Sequence, residues 1–414
     1  MKNFYFNKQP ILLSLLSAWF LSACGALPTQ QTSSQQDFEY VLTAKITSTD
    51  NQEQIAAAYG GKILSWHPEE GFAVVGSNQK RLELQASQNN GSVSSNKNST
   101  ASSVMALGTS TWSNGTSSWA TGTSSWATGQ VSKNIDNLNQ RIWDLTRLPS
   151  AVARAASRGA GITIAVIDTG IDLKHPLFAG RLVAASDMYD FSNEDPEPKE
   201  VEGTGPFGHG TAVAGIIAQV VPNAKIMPLR VLDSSGYGDI SNVIRAIEWA
   251  RSRGAKVINL SLGSKVSDPL AKAIQAAAKS GIYVVIASGN DGKNSVGFPA
   301  NLAKSLLWTK NITSVGASTL SDKRAKYSNV GTELKIFAPG DNIWSAYPEN
   351  RQAAWSGTSM ATPLVAAAFA LGLSDDKKAL EEMDDALNYG LPMPTDCLCL
   401  RILSNRLDFY KFTK

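Results

Sequence analysis

A chain of 414 residues is longer than one ordinary domain, and an apolar fraction of 43% supplies a core without disulfide or metal staples. With 38 Lys and Arg against 35 Asp and Glu, the formal net charge is only +3, which gives no footprint for a polyanion and excludes nucleic acid as a partner. The cysteines, Cys24, Cys397 and Cys399, exclude a disulfide framework and a four-ligand zinc site; Cys397 and Cys399 are too close for an easy disulfide.

The chain opens with Lys2 and Lys8, continues through the apolar run Ile11–Leu21 and closes that stretch in Leu21-Ser22-Ala23-Cys24. A basic start, a short apolar centre and small residues at a cleavage point describe an export signal over residues 1–24. The run is too short for a comfortable membrane span. Its ending resembles the lipobox of bacterial lipoproteins, which implies a lipid on Cys24 and an exported protein held at the cell envelope. A plain secretory signal with an incidental cysteine is the alternative. Gly25, not Asp, follows, so inner-membrane retention has no support.

Residues 38–85 carry a small α+β pattern: Tyr40–Ile46 alternates like a strand, Asn51–Tyr59 suits a helix and Gly71–Val75 suits another strand. Alone, this piece is too small to be stable. From 86 to 134 the composition shifts to Ser, Thr, Asn, Gln and Gly, which predicts a flexible linker. Inside it, Thr109–Gly115, Thr116–Gly122 and Thr123–Gly129 place Trp112, Trp119 and Trp126 at seven-residue intervals. One apolar residue per heptad among Gly and Thr cannot build a coiled-coil seam, so the repeat reads as linker, with an aromatic binding element as the alternative.

The region 135–414 turns regular. Short apolar runs at Ile162–Ile167, Ala224–Val231, Val257–Leu262 and Ile282–Ala287 alternate with helical patterns such as Asp239–Arg253. This predicts an α/β fold, a doubly wound parallel sheet with helices on both faces, preceded by the small α+β unit. In such a sheet the chemistry lies beyond the carboxyl ends of the strands.

Asp168 directly follows one apolar run and opens Asp168-Thr-Gly, although Asp also ends strands for its turn chemistry. His209 sits between two glycines, which let a substrate approach the backbone closely; a polar residue at a helix start is the bland alternative. For His67 and His175, an inert surface role and a functional one are equally open. Ser359, in Gly357-Thr-Ser-Met-Ala-Thr-Pro363, starts an all-apolar helix and could be either a cap or a nucleophile at the positive end of the helix dipole.

Taken together, Val166-Ile-Asp-Thr-Gly170, His209-Gly-Thr-Ala-Val-Ala-Gly215 and Gly357-Thr-Ser-Met-Ala-Thr-Pro363 resemble, in the order Asp, His, Ser, the subtilisin-like serine proteases, or subtilases. The resemblance covers about residues 135–414 and implies a serine endopeptidase acting on protein or peptide substrates with no cofactor. Asp168, His209 and Ser359 would form its triad, and Asn290 would donate to the oxyanion. Ser261-Leu262-Gly263 and Gly236-Tyr237-Gly238 resemble the strands that hold substrate backbone, and Phe298-Pro-Ala300 a pocket wall. Leu177 after His175-Pro176, and the lack of an insertion near Gln219–Ala224, leave the family's usual calcium site without its pattern; the Asp187–Asp195 cluster reads as solvated loop, with binding of a cation such as calcium as the alternative. Residues 38–85 resemble the inhibitory prodomain, although its last strand is not evident, and Asn405–Lys411 resembles the closing segment. The rival reading is a catalytically silent envelope lipoprotein that binds peptides with the same fold; the presence of all four catalytic identities argues against it.

Overall fold

The computed structural model describes residues 38–79, 138–203, 206–303, 310–375 and 405–413, together with short strands at 96–97, 104–106, 126–127 and 391–392. The expected signal segment 1–24 with Cys24, most of the 86–134 stretch, and Cys397 and Cys399 lie outside the described residues.

In the N-terminal unit, β1 (Tyr40–Lys45), β2 (Gly61–His67), β3 (Phe72–Ser77) and β4 (Asn96–Lys97) form an antiparallel sheet in the order β2-β3-β1-β4, with α1 (Gln52–Ala58) between β1 and β2 in the chain. Local chemistry sets its turns: the Asn51 side chain caps α1 by accepting from Glu53 N at 2.7 Å, and Gly71 takes a φ of 76° just before β3. The fourth strand lies past residue 85, where the sequence pattern of this unit ended. It was missed because a two-residue Asn-Lys strand carries no apolar alternation.

The next two strands, β5 (Val104–Ala106) and β6 (Trp126–Ala127), fall in the expected linker but pair with sheet edges of the C-terminal region. That region begins with α2 (Gln140–Leu145) and α3 (Leu148–Arg154), then β7 (Thr163–Asp168), β8 (Tyr189–Asp190), α4 (His209–Val220) and β9 (Lys225–Arg230). There follow β10 (Tyr237–Gly238), α5 (Ile240–Ser252), β11 (Val257–Leu260), β12 (Leu262–Ser264), α6 (Asp268–Lys279) and β13 (Tyr283–Ala287). The remainder comprises β14 (Ile312–Ser318), β15 (Ile336–Pro339), the hairpin β16 (Ile343–Tyr347) and β17 (Arg351–Trp355), α7 (Thr358–Asp375), β18 (Leu391–Pro392) and β19 (Asn405–Arg406).

The main sheet runs β18-β19-β15-β14-β13-β11-β7-β9-β8, with parallel neighbours throughout except β18-β19. Its strands alternate between two cores, as strand geometry requires of a sheet covered on both faces. Ile164 and Val166 of β7 join the core of α4 and α7, while Ala165 and Ile167 join that of α5 and α6. The fully buried Ile164 and Ile167 each contribute about 1.5–3 kcal/mol through burial. Helix α7 is buried from Thr358 through Gly372, as its all-apolar sequence requires. From β7 the chain winds to β9 on one side and to β11 on the other, so the sheet's switch point falls beside β7, the strand that ends in Asp168.

The small unit is docked on this body. Its sheet sends Ala44, Ile46, Ala73 and Val75 towards Ile55 and Tyr59, and sends Val41, Leu64, Phe72 and Val74 into the core of α5 and α6. Around that contact Thr43 Oγ1 donates to Asp268 at 3.0 Å, Ser65 Oγ donates to Glu248 at 2.8 Å, and His67 Nε2 meets the same carboxylate at 2.9 Å.

Candidate active site

Asp168 is the last residue of β7 and His209 the first of α4, which packs against that strand. Asp168 Oδ1 lies 2.7 Å from His209 Nδ1 and accepts a second bond from Thr169 N at 2.8 Å. Both side chains are 1% exposed. This close approach depends on Gly210, because a Cβ there would stand 2.1 Å from the Gly170 carbonyl oxygen and push the helix away. The His209 ring also meets Trp355 edge to face, with centroids 6.2 Å apart.

Ser359 lies in the first turn of α7, where backbone amides have no partner inside the helix. Pro363, four residues on, has no N–H, so it leaves the Ser359 carbonyl without its helical bond. Ser261 Oγ supplies the missing donor at 2.9 Å, and Ser359 Oγ donates to the Ser261 carbonyl at 3.2 Å. Asn290 follows β13, and its Oδ1 accepts from both Thr358 N at 2.8 Å and Thr358 Oγ1 at 3.0 Å. These two bonds fix the amide orientation and leave Nδ2 buried with no partner among the described residues. A buried, unpartnered amide donor on the side chain that holds Thr358, the neighbour of Ser359, is the kind of group a developing oxyanion can use.

The segments expected to hold substrate become β10 and β12, and the space between them is occupied. Strand β5 pairs antiparallel with both: Ala106 faces Leu262, Met105 faces Gly263 and Tyr237, and Val104 faces Ser264 and Gly238. Gly236 turns the chain into β10 with a φ of 79°. Ser264 N donates to the Phe298 carbonyl at 3.0 Å, which joins the expected pocket wall to β12.

The other candidates of the sequence resolve differently. His67 and His175 are both buried, not at the surface: His67 bonds Glu248, and His175 accepts from Leu177 N through Nδ1 and meets the Arg351 carbonyl through Nε2. Burial lowers the pKa of His175. In the Asp187–Asp195 cluster, Asp190 is fully buried in an ion pair with Arg230 at 2.6 Å, which corrects the reading of that residue as solvated loop. Three features escaped sequence reading. The occupying strand sat in a compositionally polar stretch, the Ser261–Ser359 bond joins residues far apart in the chain, and Glu200 looked like one more charge in an acidic loop. Glu200 accepts four hydrogen bonds next to the Asp168–His209 pair.

The subtilase family model matches residues 159–387, more than half of the chain. Among curated proteins the chain is similar to an alkaline protease of Alkalihalobacillus alcalophilus, 40% identical over 241 residues, which are 55% of this chain and 58% of that protein. It resembles Subtilisin Savinase of Lederbergia lenta to the same 40% over 241 residues, covering 55% of this chain and 82% of that one. Among solved structures it resembles a cold adapted subtilisin-like serine proteinase, with a TM-score of 0.53 and 34% identity over 61% of this chain and 89% of the other. With the doubly wound sheet and the residues gathered at its switch point, these matches establish that the chain belongs to the subtilase family of serine endopeptidases.

Proposed function

We propose that this protein is a serine endopeptidase made as a self-processing precursor, exported and tied to the cell envelope through a lipid on Cys24. The observation that carries the catalytic reading is the 2.7 Å bond between His209 Nδ1 and Asp168 Oδ1, which leaves Nε2 as the ring nitrogen for proton transfer. In this reading His209 takes the proton of Ser359 Oγ as that oxygen attacks a peptide carbonyl, then gives it to the leaving amine. Asp168 holds the ring's tautomer and stabilises its cationic form. Asn290 Nδ2 and the Ser359 backbone N–H receive the negative oxygen. Hydrolysis of the acyl-enzyme repeats the sequence with water as nucleophile.

Self-processing is supported by β5. A segment already paired on both sides in extended form between β10 and β12 has the geometry of a substrate backbone, and the unit that precedes it has the place of an inhibitor. The register of β5 supports a particular cut within this reading. Ala106 faces Leu262, one residue short of Ser261, whose carbonyl accepts from Ser359 Oγ. The bond expected to break is therefore the one that follows Leu107. Export and lipid attachment rest on the residues at 1–24 alone.

A fluorophosphonate probe tests the catalytic reading. Labelling of processed protein that disappears in Ser359→Ala supports it, and a processed protein that takes no label returns the chain to the class of silent peptide binders.

A further inference from the structure

Glu200 is held in place by its own backbone. Ile171 N donates to the Pro198 carbonyl at 3.0 Å and Glu200 N donates to the Ile171 carbonyl at 3.1 Å, so the segment runs alongside the turn that leaves Asp168. Its side chain then meets only donors: Thr169 Oγ1 at 2.6 Å and Gly208 N at 2.9 Å on one oxygen, Thr211 Oγ1 at 2.7 Å and Thr211 N at 3.2 Å on the other. Gly208 caps α4 without a side chain, so Glu200 serves the orphan amides of that helix from a distant segment. Each hydroxyl already accepts from an amide, Thr169 Oγ1 from Gly210 N at 2.9 Å and Thr211 Oγ1 from Asp172 N at 2.9 Å, and its single hydrogen is directed at Glu200. One carboxylate thus links Thr169, the residue after Asp168, to Gly208 and Thr211, which bracket His209 in the chain.

We propose that Glu200 is a positioning residue for the Asp168–His209 pair, its ionised carboxylate fastening the turn after β7 to the first turn of α4. The proposal rests on the catalytic reading above. Its physical basis is a count of donors and acceptors. A protonated carboxyl must donate from one oxygen, but the amides can only donate and each hydroxyl has a single hydrogen already directed at Glu200, so protonation either breaks a bond from an amide or turns a hydroxyl round and takes its acceptor away. Glu200 as a residue keeps some exposed surface, yet its carboxyl end is closely surrounded. Burial pushes its pKa up to about 7, with the charge of Asp168 adding to the rise while the bonds from Thr169, Thr211 and Gly208 oppose it.

The ionisable groups around it are Asp168 at the end of β7, Asp172 in the turn beyond, His209 on α4, Glu202 in its own loop, and Tyr347 at the end of β16. The Tyr347 phenol is itself pushed up to about 12, by burial first and by Glu200, Glu202 and Glu349 against Arg351. The sign follows from linkage. With the folded pKa raised, the ionised form costs stability as pH climbs towards 7, so the carboxylate is not there to stabilise the fold at neutral pH. Below that point Glu200 takes up a proton and the frame loosens, while His209 must also be neutral to accept the serine proton. Two protonations therefore shape the acid side of the rate profile.

The test measures kcat and KM from about pH 5 to about pH 9 for wild type, Glu200→Gln, Thr169→Val and Thr169→Ser. Glu200→Gln is expected to lower kcat roughly 10- to 100-fold with little change in KM, the scale of a small misplacement of catalytic groups. The acid limb should become one proton shallower, Thr169→Val should share the change, and Thr169→Ser should restore it. Wild-type kcat with an unchanged acid limb in Glu200→Gln overturns the proposal. If that variant fails to fold, an unchanged limb in Thr169→Val overturns it instead. A readout independent of turnover is the downfield imidazole proton resonance of His209 in Ser359→Ala protein, which should lose its titration near the pKa of Glu200 once Glu200→Gln is added. A wild type without Ser359-dependent turnover whose resonance still titrates through Glu200 would sink the peptidase reading and leave the positioning role standing; a resonance indifferent to Glu200 removes that role.

Discussion

Ser261 Oγ donates to the main-chain carbonyl of Ser359 at 2.9 Å, and Ser359 Oγ returns a bond to the Ser261 carbonyl at 3.2 Å. Pro363 makes the first bond necessary, since it removes the N–H that would have served that carbonyl within α7. Ser261→Ala should leave a buried carbonyl unpaired and cost about 1–3 kcal/mol. Urea unfolding in a Ser359→Ala background, which prevents autolysis and keeps the carbonyl, measures it. An unchanged midpoint would show that the proline is accommodated some other way.

Asn290→Ala removes the buried Nδ2 while the Thr358 groups lose their acceptor. Turnover should fall with little change in KM, by about 10²–10³ in kcat, a scale that comes from subtilisin, a member of this same family, and is borrowed here. Steady-state kinetics of the mature variant decides, and near-normal kcat takes Asn290 out of the oxyanion role.

Maturation should leave Gly108 as the new N-terminus of a shortened catalytic fragment that no longer sediments with membranes, whereas Ser359→Ala stays full-length in the membrane fraction. Met105→Pro deletes one N–H from β5 between its two partner strands, and a loss of about 1 kcal/mol slows the cut roughly 5-fold. A C-terminal tag followed through fractionation and N-terminal sequencing reports both. Identical shortening in Ser359→Ala assigns the cut to another protease, and a full-length wild type in the membrane removes the release step.

Burial pushes Glu248 up, but bonds from His67 and Ser65 and the charge of Arg251 bring its pKa below the ordinary carboxylate value on balance. A depressed carboxylate contributes stability that is complete above its unfolded pKa and is lost as pH falls through the folded one. Glu248→Gln in the Ser359→Ala precursor should therefore destabilise by roughly 1.5–3 kcal/mol near neutral pH and by little in acid. Thermal unfolding at the two pH values checks the difference, and an equal loss at both contradicts it.

Much of the fold was legible because the parallel strands are short continuous apolar runs and the helices between them keep a 3.6-residue pattern. Asp168, His209, Ser359 and Asn290 stood out because each lies at a strand end or helix start among small residues. What stayed hidden is long-range or polar. Val104–Ala106 becomes a strand only because β10 and β12 offer free edges on both sides, and Trp126–Ala127 only because β17 does. The partners of Glu200 are ones that folding alone brings together, and the burial of His67 and Asp190 reflects tertiary partners, Glu248 and Arg230, that local composition does not record.

The contact of the small sheet with α5 and α6 combines an apolar centre of Val41, Leu64, Phe72 and Val74 with carboxylates at Glu248 and Asp268. Such a surface can be wetted without refolding what lies beneath it, since carboxylates left without their partners gain hydration as the apolar contact is lost. Departure of the small unit would thus act on the helices as the dissociation of a partner, reversible and dependent on salt at its rim. Under the proposed maturation, the released unit offered in trans is expected to compete with substrate by mass action, so that the speed of activation depends on how quickly that unit is diluted or degraded.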